Sequence, residues 1–452
     1  MKKNEDSRDE RIARASGFGA EAMRLHAFYS GKIAVIPKCP VRSLTDFSLW
    51  YTPGVAEPCR AIQKDPLAAF ELTNKGNSVA IVSDGTRVLG LGDIGPMGAL
   101  PVMEGKALIF KYLGGVDAFP LVLSTKDERR IVETVEAVAP GFGGINLEDI
   151  AQPKCFSVLE QLRARLEIPV WHDDQQGTAT VTLAGLINAL AVVGKRMEDV
   201  TVAMIGAGAA NMRIARMIAA AGVRCENIIM VDSRGILHRD RDDIRALRTQ
   251  YREKWEMCER SNAAGRTGGI PEAMRGADVV IAASRPGPDV IRPEWVSAMA
   301  SDAIVFAEAN PVPEIWPFDA KEAGARVVAT GRSDFPNQVN NSLGFPAIFR
   351  GALDVRATTI TDEMCIAAAR ALAACAQRRG ISEDYIIPTM EEWEVFPEEA
   401  VAVGLTAVAQ GIARRPLSEQ ELRERAQRTI GAAREEIRVL MRDGVIPEPP
   451  ER

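Results

Sequence analysis

The sequence predicts an α/β protein: an N-terminal α/β domain, then a Rossmann-like, doubly wound parallel-sheet domain, with helices at the C-terminal end. Three observations support this prediction. Short apolar runs alternate with loops between residues 46 and 170, strand-then-helix alternation follows from residue 201, and a helical pattern returns after residue 360. The chain has 452 residues, enough for two or three domains with sizeable cores.

The N-terminal part is predicted to contain two strands around one helix. The apolar runs at 79–82 and 118–123 are the predicted strands, and residues 107–112 are the predicted helix. Residues 1–30 are charged and predicted to be helical. The stretch 178–194 is small and apolar at helical spacing, so we expect a buried helix that leaves the first domain and enters the second.

The next part of the chain has the pattern of a parallel sheet covered by helices on both faces. The five predicted strands are 201–205, 227–232, 278–283, 303–308 and 326–329. A last helix is predicted to begin with a capping box from Ser418 to Glu421, and its apolar side is expected to pack on the protein body or on another subunit. We divide the chain into domains 1–177 and 178–360 and a C-terminal helical segment, 361–452.

Composition narrows the class of partner and the compartment. The formal net charge is −6, which gives no electrostatic reason to expect a nucleic acid or an anionic membrane as partner. Seven scattered cysteines without a close pair predict reduced thiols. The first ten residues are too charged for a signal peptide, and the longest apolar run, 181–193, is too short to cross a bilayer. These features predict a cytoplasmic protein.

A glycine-rich turn after the strand at 201–205 is typical of a dinucleotide site. Gly206 allows a sharp turn, and Gly208 allows the backbone to approach a pyrophosphate at the N-terminus of the following helix. Asn211 replaces the third glycine of the pattern, so we expect slightly looser packing between helix and strand. The candidate pyrophosphate-binding residues are Gly206, Gly208, Ala209, Ala210 and Asn211.

The end of the next strand carries two conflicting signals about the cofactor. Asp232 is placed to bind the ribose hydroxyls of NAD. Ser233 and Arg234 follow it directly and are suited to the 2′-phosphate of NADP. The choice between NAD and NADP therefore stays open, and Ser233 and Arg234 favour NADP.

Two acidic pairs, Glu148-Asp149 and Asp173-Asp174, stand at the ends of predicted strands. Strands that deliver carboxylates to one edge of a sheet can supply three oxygens to Mg²⁺ or Mn²⁺ and leave positions open for substrate. The alternative is that these acids cap helices or pair with lysines. A hard metal next to a nicotinamide suggests oxidation of a hydroxy acid.

Lys106 follows a glycine in an apolar neighbourhood. Burial lowers the pKa of a lysine, so Lys106 is a candidate base. A surface lysine is the alternative interpretation.

With these residues identified, the chain resembles the malic enzymes, and its size is similar to the compact prokaryotic members without an acyltransferase-like domain. The matching motifs are WYTPGVAEPC (50–59), GLGDIG (90–95), EGK (104–106), LEDI (147–150), HDDQ (172–175), ANP (309–311) and NQVNN (337–341). The resemblance implies metal-dependent oxidative decarboxylation of (S)-malate to pyruvate and CO₂, with reduction of NAD or NADP. It also implies a homodimer or larger assembly.

The resemblance assigns a role to each matching residue. Lys106 corresponds to the base for the C2 hydroxyl of malate, Tyr51 to the acid that protonates C3 of enolpyruvate, and Asp173 to a residue that orients Lys106 or a ligand. The implied metal ligands are Glu148, Asp149 and Asp174, the implied nicotinamide contact is Asn310, and the implied substrate-carboxylate contacts are Arg87, Asn340 and Asn341.

Two departures from the family pattern bear on substrate preference: Gln176 stands where a histidine is expected, and Arg87 where many compact members have a small residue. Three alternatives remain open. The first is the same reaction on another 2-hydroxy acid with a β-carboxylate, the second a non-catalytic nucleotide-binding paralogue, and the third a dehydrogenase that stops at the keto acid.

Overall fold

Two parallel sheets organise the part of the chain that the structure, a computed structural model, describes: residues 18–88 and 90–450. The first sheet has the order β2-β1-β3-β4 and the second the order β10-β9-β8-β5-β6-β7. The strands are β1 (Ser78–Ser83), β2 (Asp117–Val122), β3 (Gly144–Leu147), β4 (Val170–His172), β5 (Val202–Ile205), β6 (Ile228–Asp232), β7 (Gly235–Ile236), β8 (Val279–Ala282), β9 (Ala303–Ala307) and β10 (Ala325–Thr330).

Helices cover both sheets and form the C-terminal part of the molecule. The α-helices are α1 (Phe18–Tyr29), α2 (Leu44–Trp50), α3 (Ala56–Lys64), α4 (Ala69–Leu72), α5 (Gly95–Gly114), α6 (Glu128–Val138), α7 (Lys154–Arg165), α8 (Asp173–Val193), α9 (Ala209–Ala221), α10 (Asp242–Arg245), α11 (Arg252–Arg260), α12 (Ile270–Met274), α13 (Pro293–Val296), α14 (Pro317–Glu322), α15 (Phe345–Asp354), α16 (Asp362–Arg379), α17 (Val395–Ala409) and α18 (Glu419–Arg442). The predicted α/β fold, with its Rossmann-like second sheet, is confirmed.

The first sheet is parallel throughout, and its register places two strand ends side by side. Leu147, the last residue of β3, pairs with His172, the last residue of β4. The residues that follow them, Glu148 and Asp173, therefore leave the sheet at the same edge. Parallel strands share the direction of their carboxyl ends, which explains why this edge collects polar side chains.

Helix α8 begins at Asp173, five residues before the predicted start, and follows β4 without a loop. It is apolar on all sides, as expected for a helix buried within a core, and Gly194 closes it in a left-handed conformation. Among the described residues, this helix is long and apolar enough to cross a membrane, but 72% of its apolar window is packed inside the molecule. The predicted domain limit at residue 177 falls inside this helix. The division into three segments remains a prediction.

The second sheet contains all five predicted strands, with ends that differ by a residue or so, and one strand that was not predicted. β7 has only two residues and pairs antiparallel with β6 at the edge of the sheet. A two-residue strand is too short to show a repeating pattern in the sequence. The helix predicted within residues 1–30 is present as α1, and residues 1–17 lie outside the described part of the chain.

The last helix, α18, begins at the predicted capping box between Ser418 and Glu421. Four residues of its apolar stripe are buried: Leu422, Ala426, Ile430 and Ala433. Together with contacts to α5 and α17, this burial confirms that the stripe packs on the body of the protein.

Aromatic side chains from two helices and a strand meet next to the shared edge of the first sheet. Phe110 of α5 lies 4.6 Å from Phe345 and 5.3 Å from Phe349, measured between ring centres. Trp171 of β4 lies 6.3 Å from Phe349. These buried rings fix α5 and α15 against β4, which positions the side chains described next.

Candidate active site

Three carboxylates meet at the shared edge of the first sheet. One carboxylate oxygen from each of Glu148, Asp149 and Asp174 lies within 4.8 Å of the other two, and Glu148 and Asp149 are buried. The backbone amide of Asp149 donates to Asp174 Oδ2 at 2.8 Å, which joins the end of β3 to the start of α8. Three hard oxygen donors at this spacing fit Mg²⁺ or Mn²⁺, so the chemistry of the site matches the metal that the sequence predicts.

Lys106 of α5 lies between two of the acids that follow the strands. Its Nζ contacts Asp173 Oδ2 directly and lies 3.1 Å from Glu148 Oε1. The same nitrogen lies 4.4 Å from the centre of the Phe345 ring, and the residue is only 8% exposed. Lys106 is therefore not a surface lysine. The alternative that the acids pair with a lysine is correct for Asp173 and Glu148.

The predicted lowering of the Lys106 pKa is wrong for the site as the structure holds it. Burial lowers the pKa, but the negative charges of Asp173, Glu148 and Asp174 more than offset this effect, so the pKa is raised. Burial raises the pKa of Glu148 well above its usual value, which Lys106 only partly counteracts. One lysine thus balances a larger number of crowded acids, an arrangement that favours an additional cation.

Asp173 is fixed from two sides. The indole nitrogen of Trp171 donates to Asp173 Oδ1 at 3.1 Å. A side chain at Gly177 would place its Cβ 1.9 Å from the same oxygen and 3.3 Å from the Cβ of Asn341. The glycine therefore lets Asp173 and Asn341 approach the same point near the start of α8.

Gln176 and His172 form a buried pair beneath the acids. The backbone amide of His172 donates to Gln176 Oε1 at 3.1 Å, so glutamine has a structural role where a histidine was expected. Burial lowers the pKa of His172, although Asp174 acts in the opposite direction. This shift favours the neutral form of the His172 imidazole.

The glycine turn after β5 has the geometry of a pyrophosphate cradle. Gly206 has a φ of +104°, and a Cβ there would lie 2.9 Å from the carbonyl oxygen of Ala283. A Cβ at Gly208 would meet open space, and α9 begins at the next residue, Ala209, followed by Ala210. The open space at a helix N-terminus fits a dinucleotide pyrophosphate.

Asn211 does not loosen this turn, contrary to the prediction. Its side-chain amide donates to the carbonyl oxygens of Ile205 at 2.8 Å and Gly206 at 2.9 Å. The residue is fully buried, so it ties α9 to the end of β5 instead of leaving a gap.

The residues after β6 line a cavity of about 520 Å³. Asp232 forms a two-point ion pair with Arg241, and Ser233 and Arg234 are exposed. Sequence reasoning missed Arg241, because it lies in a run of charged residues with no pattern that distinguishes it. The cavity stands where the adenosine ribose lies in this fold.

Asn310 and Asn341 lie where the two sheets meet. A Cβ at Gly90 would come 2.8 Å from the carbonyl oxygen of Asn310, so the loop after β1 touches the loop after β9. Both side-chain groups of Asn340 are already bonded: its amide donates to the carbonyl oxygen of Gly331, and its oxygen accepts from the backbone amide of Ser342. The Asn341 amide makes no hydrogen bond with any described residue, which leaves it the better candidate of the two for a substrate carboxylate.

Sequence reasoning also missed two buried acids near Asn310. Glu314 accepts bonds from the amides of Ser284 at 2.8 Å and Ala309 at 3.0 Å, and so ties together the loops after β8 and β9. Glu308 accepts a bond from Thr182 of α8 at 2.8 Å. Burial raises the pKa of Glu314 to about 7 and that of Glu308 to about 8. Glu308 ends a predicted strand, which was the available signal.

Two predicted residues stand apart from Lys106. Tyr51 lies between α2 and α3, is 73% exposed, and makes no hydrogen bond with Lys106. The backbone amide of Arg87 donates to the carbonyl oxygen of Asp149 at 3.0 Å, but its side chain points to solvent. The described chain therefore gathers the acids, Lys106 and Asn341, but neither the phenol of Tyr51 nor the guanidinium of Arg87.

Comparison with known proteins agrees with this geometry. The family model "malic enzyme, N-terminal domain" matches residues 30–131, and "malic enzyme, NAD binding domain" matches residues 175–410. The NAD-dependent malic enzyme of Geobacillus stearothermophilus is 50% identical over 386 residues, 85% of this chain and 78% of that protein. The NADP-dependent malic enzyme of Halomonas elongata is 42% identical over 401 residues, 85% of this chain and 92% of that protein.

The crystal structure of the malic enzyme from Entamoeba histolytica is similar over nearly the whole chain. It aligns with a TM-score of 0.97 at 47% identity, covering 99% of this chain and 93% of that one. The NAD-binding domain model covers the dinucleotide-binding sheet, and residues 132–174, which contain the metal-site edge, lie between the two family-model matches. The chain belongs to the malic enzyme family.

Proposed function

We propose that the protein catalyses the metal-dependent oxidative decarboxylation of (S)-malate to pyruvate and CO₂ with reduction of a nicotinamide dinucleotide. The observation that carries the proposal is the position of Lys106. This buried lysine contacts Asp173 and Glu148 beside a three-carboxylate cluster. Hydride transfer alone needs no metal, whereas loss of CO₂ from a β-keto acid benefits from one. The metal cluster therefore favours decarboxylation over a simple dehydrogenase.

The metal and the lysine have separate tasks in this proposal. When held by Glu148, Asp149 and Asp174, Mg²⁺ or Mn²⁺ supplies Lewis-acid polarisation of a substrate oxygen. Lys106 exchanges a proton with the C2 hydroxyl through Nζ, and Asp173 holds that nitrogen in place. The positive charge of a metal would also counteract the acids that raise the Lys106 pKa, which makes the neutral amine more accessible.

The substrate carboxylates are assigned to amide and guanidinium donors. Asn341 has an uncommitted side-chain amide near Asp173, whereas Asn310, at the junction of the two sheets, is assigned to the nicotinamide. Arg87 is anchored at its backbone beside Asp149, while its side chain is free to turn towards a bound dicarboxylate. Asn340 serves the fold of the turn that presents Asn341.

Tyr51 is the proposed acid for C3 of enolpyruvate, and its exposure supports assembly into a homodimer or larger oligomer. Large apolar side chains that are at least half exposed cluster in the N-terminal part of the described chain. They are Phe18, Met23, Val35, Val41, Leu44, Phe47, Leu49, Trp50, Tyr51, Leu91 and Met97. A surface of this kind is typical of an interaction site. Its burial between subunits would bring the Tyr51 phenol into a dry environment next to a site.

The proposed location is the cytoplasm. All seven cysteines are free thiols, as expected in a reducing compartment. The proposed partners are malate and the dinucleotide, without nucleic acid or membrane.

The deciding experiment measures cofactor reduction by the purified protein with (S)-malate, with and without Mn²⁺, together with pyruvate. Metal-dependent reduction with one pyruvate formed for each dinucleotide reduced is the expected result. Reduction without pyruvate would indicate a dehydrogenase that stops at the keto acid. A protein that binds dinucleotide but reduces none with malate or with substituted malates would contradict catalysis.

A further inference from the structure

Asp232 stands where this fold binds the ribose hydroxyls of NAD, but protein donors fill its acceptor positions. Oδ1 accepts from Arg241 Nη1 at 3.1 Å and from the backbone amide of Arg234 at 2.9 Å. Oδ2 accepts from Arg241 Nη2 at 3.0 Å, and Lys254 Nζ lies 3.5 Å away. A carboxylate has about four acceptor sites, and this one is only 8% exposed. Asp232 therefore has no position left for a ribose diol.

Arg241 is equally committed. Its Nε and Nη2 donate to Asp243 at 2.8 and 2.9 Å, and its Nη1 also reaches the carbonyl oxygen of Gly235 at 3.3 Å. The bonds to Asp232, Asp243 and Gly235 use all the donors of the guanidinium. Arg241 is therefore held in one position and has no donor free for a phosphate. Its effect is to cancel the charge of Asp232 at the mouth of the ribose cavity.

Two uncommitted donors remain on the wall of the cavity. Arg234 is 70% exposed in its side chain and uses only Nη1, which donates to Asp243 at 3.1 Å. The hydroxyl of Ser233 makes no hydrogen bond with any described residue. On the other side of the cavity the backbone amide of Gly269 donates to Glu272 at 2.8 Å. A phosphate in the cavity would meet Ser233 and Arg234.

We propose that the protein selects NADP over NAD, with Ser233 and Arg234 as ligands of the 2′-phosphate and Arg241 as the positioning residue that neutralises Asp232. NAD would lose its ribose acceptor to Arg241, whereas NADP would gain a charge-assisted contact with Arg234. The inference rests on the proposed function for the identity of the ligand as a nicotinamide dinucleotide. In this proposal the cofactor preference follows from the ion pair between Arg241 and Asp232.

The test is calorimetric binding of adenosine 2′,5′-bisphosphate and 5′-AMP to the full chain, without malate or metal. The two fragments differ only in the 2′-phosphate. We expect the bisphosphate to bind at least about tenfold tighter to the unaltered protein. Arg234→Ala should remove most of this difference and leave 5′-AMP binding as it was. Arg241→Ala should free Asp232, weaken the bisphosphate and strengthen 5′-AMP.

Two further variants keep the test decisive. Arg239→Ala removes the same charge from the same loop, where the side chain bonds to Glu259 away from the cavity, so the affinity ratio should stay within about twofold. Asp232→Asn should leave 5′-AMP binding unchanged within about twofold, because Asp232 holds no ribose in this proposal. This variant decides the matter if Arg241→Ala does not fold.

Equal affinity of the unaltered protein for the two fragments would overturn the proposal, as would loss of 5′-AMP binding in Asp232→Asn. Both readouts are independent of turnover. A protein that selects the bisphosphate but does not oxidise malate would keep this inference and lose the proposed function. A protein that oxidises malate equally well with both dinucleotides, and binds the two fragments with equal affinity, would keep the proposed function and lose this inference.

Discussion

Lys106 is held by Asp173 and Glu148, and this pairing links its protonation to the neighbouring acids. Lys106→Ala should lower turnover by roughly 10²- to 10⁴-fold, the usual contribution of a positioned acid or base. Dinucleotide binding should persist, because the glycine turn belongs to the other sheet. The measurement is steady-state turnover together with calorimetric titration of the dinucleotide.

Lys111→Ala is the matched control for that variant. Lys111 lies on the same helix and pairs with Asp117 and Glu436 instead of the site acids. Its removal should leave turnover within about twofold, as for a partly exposed ion pair. Normal turnover in Lys106→Ala would remove this lysine from the mechanism.

Asp174 offers a second prediction at the scale of a single residue. Asp174→Asn should weaken Mn²⁺ binding by about tenfold or more, since even residues behind the ligands change metal affinity by 10- to 100-fold. High Mn²⁺ should therefore restore part of the activity. Direct Mn²⁺ titration, with the exposed Asp199→Asn as control, measures the change. An unchanged affinity for Mn²⁺ would show that Asp174 is not a metal ligand.

Residues that stand at the ends of apolar runs could be found from the sequence, and residues defined by distant partners could not. Glu148 and Asp174 follow buried strands, so the carboxyl edge of a parallel sheet was expected to gather them. The Lys106 pKa depends on Asp173, 67 residues further along the chain, and was predicted in the wrong direction. Arg241 and Glu314 owe their importance to contacts that no local pattern reveals.

At the scale of elements, buried parallel strands were predictable because each is a short, continuous apolar run. The early start of α8 was not, because Asp173 and Asp174 were read as strand ends when they are also the first turn of a helix. The sequence showed the dinucleotide turn but not the hydrogen bonds of Asn211 that hold α9 to β5. The elements themselves could largely be predicted from the sequence, whereas the contacts that pack them together could not.

The contact between α8 and β9 contains an acid that should make stability depend on pH. Glu308 is buried against Thr182, and burial raises its pKa from 4.5 to about 8. The folded protein therefore keeps this proton up to about pH 8, whereas the unfolded chain releases it above about pH 4.5. The unfolded state binds fewer protons in this window, so this group makes the protein less stable as pH rises.

Glu308→Gln should remove that dependence. The variant should gain melting temperature relative to the unaltered protein at pH 8 and gain little at pH 5. The corresponding gain in the free energy of unfolding is limited to a few kcal/mol, since a shift of one pKa unit corresponds to about 1.4 kcal/mol. Thermal unfolding at both pH values measures it, with the exposed Glu322→Gln as control. If Glu308→Gln showed the same pH dependence as Glu322→Gln, the prediction that Glu308 is buried and protonated would be wrong.

At the scale of the whole molecule, the N-terminal apolar surface and Tyr51 raise the same question. Lys106 is 8% exposed and enclosed by its own chain, while Tyr51 is 73% exposed on a surface rich in large apolar side chains. An interface that buries this surface would place Tyr51 next to another subunit. We therefore expect the phenol to serve the lysine of its partner.

Mixing two inactive variants, Tyr51→Phe and Lys106→Ala, tests this expectation directly. If each site takes its tyrosine from the partner, a mixed dimer contains one site with both changes and one intact site. Random reassociation should then restore about a quarter of the sites, because about half of the dimers are mixed. If both residues act within one chain, every site carries a change and the mixture stays inactive. Each variant refolded alone is the control, and an inactive mixture with confirmed subunit exchange would place Tyr51 and Lys106 in the same subunit.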